Sequence, residues 1–203
     1  MRHIEVPQGS AEWFKLRAGK PTASEFDRLI TPKTLRLSAQ SDAYLCRLVA
    51  EYLTGQVFEQ ETTVWMVEGI TREGQAVSYY ELTTNRETTE CGLCLTDDER
   101  VGASPDRFIG EAGLLEVKNP IAPTHIGYLL AGDVPSEYVL QLQGQLWVTQ
   151  RRWVDFLSFY PGLPSLLLRV FPDPRYQDAL STALAEFNLK LDTAKAQLKE
   201  LMP

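Results

Sequence analysis

The stretch ASPDRFIGEAGLLEVKNP, residues 103–120, places two carboxylates and an ammonium, Asp106, Glu116 and Lys118, in an otherwise apolar run. Charges at the end of an apolar strand are costly unless they are paired, solvated or used to hold a cation. Read as a strand, LLEVK alternates its side chains, so Leu114, Glu116 and Lys118 share one face and Leu115 and Val117 the other. RFI at 107–109 can pair with it, and the GEAG between has the glycines of a tight hairpin turn. With the turn centred between Glu111 and Ala112, Asp106 falls opposite Val117, and residues directly or diagonally opposite lie roughly 5–8 Å apart. The three charged groups are thus expected around one small space. A salt-bridged sheet end is the bland alternative, but charges clustered in a cleft are candidates for chemistry.

Such a set suits a bound divalent cation, and hydrolysis of an anionic ester is among the reactions that such a cation serves. A phosphodiester repels hydroxide, so its cleavage needs charge neutralisation, a nucleophile at neutral pH and stabilisation of the departing oxygen, all of which divalent metals provide. Mg²⁺ prefers oxygen, keeps several waters and needs few carboxylates, which fits Asp106, Glu116 and Glu73 and the lack of a His/Cys cluster better than zinc does.

The elements that must position these groups follow from periodicity. QGSAEWFKLRAGKPTASEF reads as two short helices, with Ser10 capping the first, Gly19 stopping it, and Ser24 or Thr22 capping the second. Arg17 and Ser24 then flank a helix start, where free N–H groups and the helix dipole favour an anion such as phosphate. On the residues alone, a surface cation and a plain cap explain the pair more simply. Ser41 to about Thr54 has the apolar spacing of a core helix. A second long helix is predicted from about Thr63 to Glu81, with Val64, Val67, Ile70, Val77 and Tyr80 as its buried stripe. Gly69 and Gly74 inside it are expected to mark close approach of another backbone or a ligand. Glu73 lies between them. Strands are predicted in TTECGLCLT, VGAS, RFI, LLEVK, WVDFLSFY and LLLRVF. In SEYVLQLQGQLWVT, with Ser136 as N-cap, Tyr138, Gln141 and Gln145 fall on one helix face. Residues 174–201 form one closing helix. This order makes an α/β fold, a mixed sheet flanked by helices.

Composition narrows the class. The 203 residues, 44% hydrophobic and 23% charged, suit one globular domain, 1–203. No apolar run reaches about 18 residues and MRHIEVPQGS lacks the core of a secretory signal, so a soluble intracellular protein with no membrane association is expected. Cys46, Cys91 and Cys94 agree with a reducing compartment, and the CxxC of Cys91 and Cys94, lacking further ligands at a familiar spacing, reads as packing. A net charge of -7 argues against a broad nonspecific nucleic-acid coat while leaving room for a local basic track.

SPD at 104–106 followed by EVK at 116–118 resembles the PD-(D/E)XK nuclease signature. EWFKLRAGKPTASEF at 12–26, EGITREGQA at 68–76, YVLQLQGQLWVT at 138–149 and RRWVDFLSFYP at 151–161 resemble, in the same order, the lambda exonuclease or YqaJ-like viral recombinase family. The resemblance implies a restriction-endonuclease-like core. It also implies 5′-to-3′ digestion of one strand of linear double-stranded DNA, as a homotrimer that uses Mg²⁺, two ions with Mn²⁺ able to substitute. The product would be 3′ overhangs for a single-strand annealing protein, in the cytoplasm of a bacterial host carrying the phage or prophage.

Carried over residue by residue, the resemblance makes Asp106 and Glu116 metal ligands, with the Val117 carbonyl completing a site. Lys118 would position or polarise the attacking water, Gln141 would lie beside that water, and Glu73 would help hold the second metal. Arg17, Ser24 and Ser104 would bind a 5′-phosphate, which gives the helix-end anion site an occupant. Met66 is a candidate for the wedge that splits the duplex. Arg107 departs from the glycine common after the PD, and Asn119 from the cysteine common before the proline. An endonuclease of the same superfamily and a non-catalytic DNA-end-binding scaffold are the competing readings; an iron–sulfur exonuclease would need four cluster cysteines.

Overall fold

The computed structural model describes residues 1–58 and 64–201, with side chains described from Arg72 onward in the second stretch. The elements run β1 (Arg2–Ile4), α1 (Ala11–Arg17), a short 3-10 helix (Ala23–Arg28), α2 (Ser41–Thr54), α3 (Val64–Thr84), β2 (Thr89–Glu90), β3 (Leu93–Leu95), β4 (Gly102–Ala103) and β5 (Arg107–Ile109). They continue with β6 (Gly113–Lys118), α4 (Ala122–Ala131), α5 (Ser136–Thr149), β7 (Trp153–Ser158), β8 (Leu166–Val170) and α6 (Pro174–Lys199). The strands form a three-stranded sheet, β1-β3-β4, and a five-stranded mixed sheet, β2-β5-β6-β7-β8, in which only β6 and β7 run parallel. Two helices, α4 and α5, make the crossover that a parallel pair requires.

Strand β6 sits in the middle of the larger sheet with helices on both faces, and its alternation decides what each face receives. Leu114, Phe108, Val154 and Phe156 pack with α2, α5 and α6 on one side. Leu115, Val117, Ile109 and Leu157 pack under Ala76, Val77 and Tyr80 of α3 on the other. Each such leucine or valine contributes about 1.5–3 kcal/mol by leaving water, which locks the alternation of the strand and therefore the face of every polar residue on it. Glu116 and Lys118 are carried to the α5 side by the same two-residue period that buries Leu114. α3 is tied down separately: the Tyr80 hydroxyl donates to Asp155 Oδ2 at 2.7 Å, and Arg169 donates to both oxygens of that buried carboxylate at 2.8 Å.

Several expectations need correction. The β5–β6 register pairs Arg107 with Leu115 and Ile109 with Gly113, so the turn is centred on Glu111 and the continuation sets Asp106 opposite Glu116 rather than Val117. Gly110, at φ 52°, opens a three-residue connection in place of the two-residue turn. Ser24 is not a cap: the 3-10 helix is preceded by Thr22, and Ser24 lies inside it. Pro135, not Ser136, stands at the N-cap of α5. Among the described residues nothing approaches within 4 Å of the position a Cβ would take at Gly74, so that glycine marks no close approach of another backbone. Gly69, Met66, Val64, Val67 and Ile70 lie outside the described side chains. Ser10 does cap α1, accepting from the Trp13 amide at 3.2 Å. β1 and α4 have no counterpart in the sequence pattern: β1 is only three residues long, and α4 carries Pro123 and Gly127 and shows no clear apolar stripe. Cys91 and Cys94 are buried, their sulfurs 3.4 Å apart. Among the described residues no helix is long and apolar enough to cross a membrane.

Candidate active site

Glu116 is 2% exposed, and a carboxylate that deep must be satisfied by donors. Three side chains do this. Lys118 Nζ donates to Glu116 Oε1 at 2.6 Å, Gln141 Nε2 donates to the same oxygen, and Gln145 Nε2 donates to Oε2 at 2.6 Å. The lysine comes from the same strand two residues on, the glutamines from successive turns of α5. Asp106, where the chain enters β5, joins them by accepting the Val117 amide on Oδ2 at 2.6 Å. The corrected register accounts for this convergence, because residues directly opposite in an antiparallel pair share a face. Lys118 Nζ also lies 5.0 Å from the centre of the Tyr138 ring.

These groups line a hollow of about 330 Å³ whose other end holds Arg17, Ser24 and Ser104. Arg17 donates to Thr22 Oγ1 at 3.2 Å and reaches Ser24 Oγ at 3.5 Å. Its guanidinium stacks 3.9 Å above the Trp13 ring, and the Trp13 indole N–H donates to Ser104 Oγ at 3.0 Å. Trp13 therefore links the cation to the serine that precedes Pro105 and Asp106. The 3-10 helix is only six residues long, so an anion at this end of the hollow would be held by side chains rather than by a helix dipole.

The electrostatics are those of crowded negative charge. Loss of solvent raises the Asp106 carboxyl well above its ordinary range, and the neighbouring Glu116 and Glu73 push it further while Lys118 and the Val117 amide pull back. Burial pulls the Lys118 ammonium down, but Glu116 and Asp106 outweigh it, so the group ends above its usual value and stays charged. Glu73 is also raised, first by desolvation, with Arg107 opposing and Glu116 and Glu90 adding to the rise.

Glu73 does not share the hollow with Glu116. It lines a neighbouring one of about 210 Å³ with Glu90 and Arg107, and Asp106 borders both. The sheet is the reason: α3 packs on the face opposite α5, so Glu73 approaches the hairpin end from the other side. Arg107, also turned toward α3 by strand alternation, pairs with Glu90 at 3.1 Å. Among the described residues no three His, Cys, Asp or Glu side chains form a ready-made metal cage. The donors that do converge, Asp106 and Glu116, are oxygens in a region with excess negative charge, and a hard cation that keeps its own waters suits them. Glu73 could join only from across Asp106.

Trp13 escaped the sequence reading of roles; it lies four residues before Arg17, and that helical spacing is the signal that could have found it. Gln143, the alternate glutamine of the run, points away and donates to the Phe171 carbonyl at 2.9 Å. α5 comes close enough to the 3-10 helix because residue 144 is glycine: a Cβ there would lie 2.4 Å from Phe26 Cδ2. The two helical segments that carry Gln145 and Ser24 are thereby pressed together.

Comparison with known proteins places the chain in a family. A family model described as the YqaJ-like viral recombinase domain matches residues 12–152. The crystal structure of LHK-Exo in complex with dAMP is 32% identical, superposes with a TM-score of 0.85 and is matched over 94% of this chain and 97% of that one. Another structure of LHK-Exo, an alkaline exonuclease from Laribacter hongkongensis, is also 32% identical, with a TM-score of 0.79 over 95% and 100% of the two chains. A phage related exonuclease from Haemophilus somnus 129PT, 14% identical with a TM-score of 0.68 over 90% and 96%, shares the fold. A comparison with curated proteins gives no significant match. The family model covers both strands of the hairpin and every residue lining the hollow except Gln8, and the chain belongs to the YqaJ-like viral recombinase family.

Proposed function

We propose that the protein is a Mg²⁺-dependent exodeoxyribonuclease that digests one strand of linear double-stranded DNA from the 5′ end and leaves 3′ overhangs. The observation that carries this reading is that Asp106, Glu116 and Lys118 share one hollow with Arg17, Ser24 and Ser104. A carboxylate pair with an ammonium suits the scissile phosphodiester, and an arginine with two hydroxyls suits a terminal phosphate. At about 330 Å³ the hollow is near the lower end of ligand-site volumes, roughly 300–1,000 Å³, which fits a nucleotide unit better than a duplex. That LHK-Exo was crystallised with dAMP, a nucleotide bearing a 5′-phosphate, is in keeping with this.

Asp106, Glu116 and the Val117 carbonyl would hold one ion, and Glu73 would help hold a second from the far side of Asp106; Mn²⁺ is expected to substitute. When bound, the metal would offset the charge of the phosphodiester, favour the hydroxide form of a water and stabilise the departing oxygen. The residues do the rest. Lys118 remains an ammonium, so it orients water and steadies phosphate charge rather than taking a proton. Gln141 keeps Glu116 in place and lies beside the water. Arg17 and Ser24 make charge-assisted hydrogen bonds to the 5′-phosphate that each cut leaves, which favours recapture of the same end.

The family resemblance further supports a homotrimer in a bacterial cytoplasm and a phage-type single-strand annealing protein as partner for the overhangs. The deciding experiment is digestion of a linear duplex labelled separately at each end, with and without Mg²⁺. Loss of the 5′ label first, and only with metal, is expected. Cutting of a covalently closed circle would instead indicate an endonuclease, and intact ends under all conditions would leave a DNA-end-binding scaffold.

A further inference from the structure

Gln145 is 1% exposed, yet it lines the catalytic hollow. Its amide has two ends with different fates. The nitrogen must face Glu116, because a carboxylate only accepts, and Nε2 donates to Glu116 Oε2 at 2.6 Å. The oxygen, Gln145 Oε1, is buried and has no hydrogen-bond partner among the described residues. An acceptor left in this state lowers stability, and because Gln145 lines the polar hollow, a donor held there is the partner this oxygen lacks.

We propose that Gln145 is a positioning residue for the hydrolytic water: its N–H holds Glu116 in one orientation while Oε1 accepts a hydrogen bond from that water. The inference rests on the nuclease reading above. An amide oxygen accepts a hydrogen bond without taking the proton, so Gln145 aims the water and leaves its activation to the rest of the site. Aim matters because misplacement of a reacting atom by about 1 Å can cost 100-fold in rate. The 3-10 helix pressed against Gly144 makes the aim rigid, since residue 145 sits on the turn of α5 that this contact fixes. Lys118 and Gln141 both donate to Glu116 Oε1, so removal of Gln145 leaves that oxygen with its two donors.

The test is Gln145→Met, which keeps length and bulk while removing both polar ends, with Gln145→Leu as the second variant. Linear duplex digestion gives kcat and KM, and a gel-shift with 5′-phosphorylated duplex in EDTA gives end binding without turnover. The expected result is a 10- to 100-fold lower kcat, with KM and end binding within about twofold of the unsubstituted protein. A kcat within twofold in a folded variant would overturn the proposal, as would loss of end binding in parallel with kcat. Failure of both variants to fold would assign Gln145 to packing and overturn it too. If the unsubstituted protein digests no DNA, the nuclease reading fails instead, and that result is separate from any outcome for the variants.

Discussion

The Val117 amide donates to Asp106 Oδ2 at 2.6 Å, so the carboxylate at the entry of one strand is held by the backbone of the next. Asn at position 106 can still accept this bond through its amide oxygen but cannot supply a charge to a cation. We expect Asp106→Asn to lower digestion of linear duplex by about 1,000-fold or more, as loss of roughly 4 kcal/mol of transition-state stabilisation would, while binding of duplex ends persists. Full activity in this variant would show the metal-ligand assignment to be wrong.

The same substitution should stabilise the fold at neutral pH when no divalent cation is added. The Asp106 carboxyl is raised above its ordinary value near 3.8 by desolvation and then by Glu116 and Glu73, so the native state holds its proton to higher pH than the unfolded chain does. Stability therefore falls as pH rises from about 4 through the raised range. Urea unfolding of both forms in EDTA is expected to show Asp106→Asn the more stable at pH 7, with the difference vanishing below pH 4.

Activity should rise over the same interval for a related reason. Asp106 and Glu73 both hold protons above the usual carboxylate range, and a protonated carboxyl cannot ligate a cation. The rate at fixed Mg²⁺ is expected to increase with pH and to need less added metal as pH rises. A rate that falls steadily from pH 5 upward would contradict this.

Trp13 connects two residues of the proposed 5′-phosphate pocket, stacking under Arg17 and donating to Ser104. Trp13→Leu keeps an apolar side chain but removes the indole N–H and the ring face. The ratio of digestion rates on 5′-phosphorylated and dephosphorylated blunt duplex is expected to fall about 3- to 10-fold, in line with about 1 kcal/mol for a stacked cation and its hydrogen bond. A ratio that stays at the unsubstituted value would remove Trp13 from the pocket.

Gly144 is the close-approach point between α5 and the 3-10 helix. Gly144→Ala improves helix propensity by about 1 kcal/mol but drives a methyl into Phe26, and overpacking costs about 1–3 kcal/mol. A net loss of about 1 kcal/mol is expected in urea unfolding, together with a weaker preference for 5′-phosphate as the segment bearing Ser24 is pushed aside.

What the sequence determined by itself was everything set by local period. Alternation in LLEVK placed Glu116 and Lys118 on one face, and 3.6-residue spacing put Gln141 and Gln145 together on α5; both hold because a few neighbouring residues dictate which side of an element is buried. Tertiary structure alone decided the rest. The extra residue in the turn at Gly110 set Asp106 opposite Glu116, and α3, docked on the far face, put Glu73 across Asp106 instead of beside Glu116. Ser104 met Trp13 from 91 positions away. Such relations depend on which surfaces pack against each other and on the length of the connections between them, and no short window of residues encodes either.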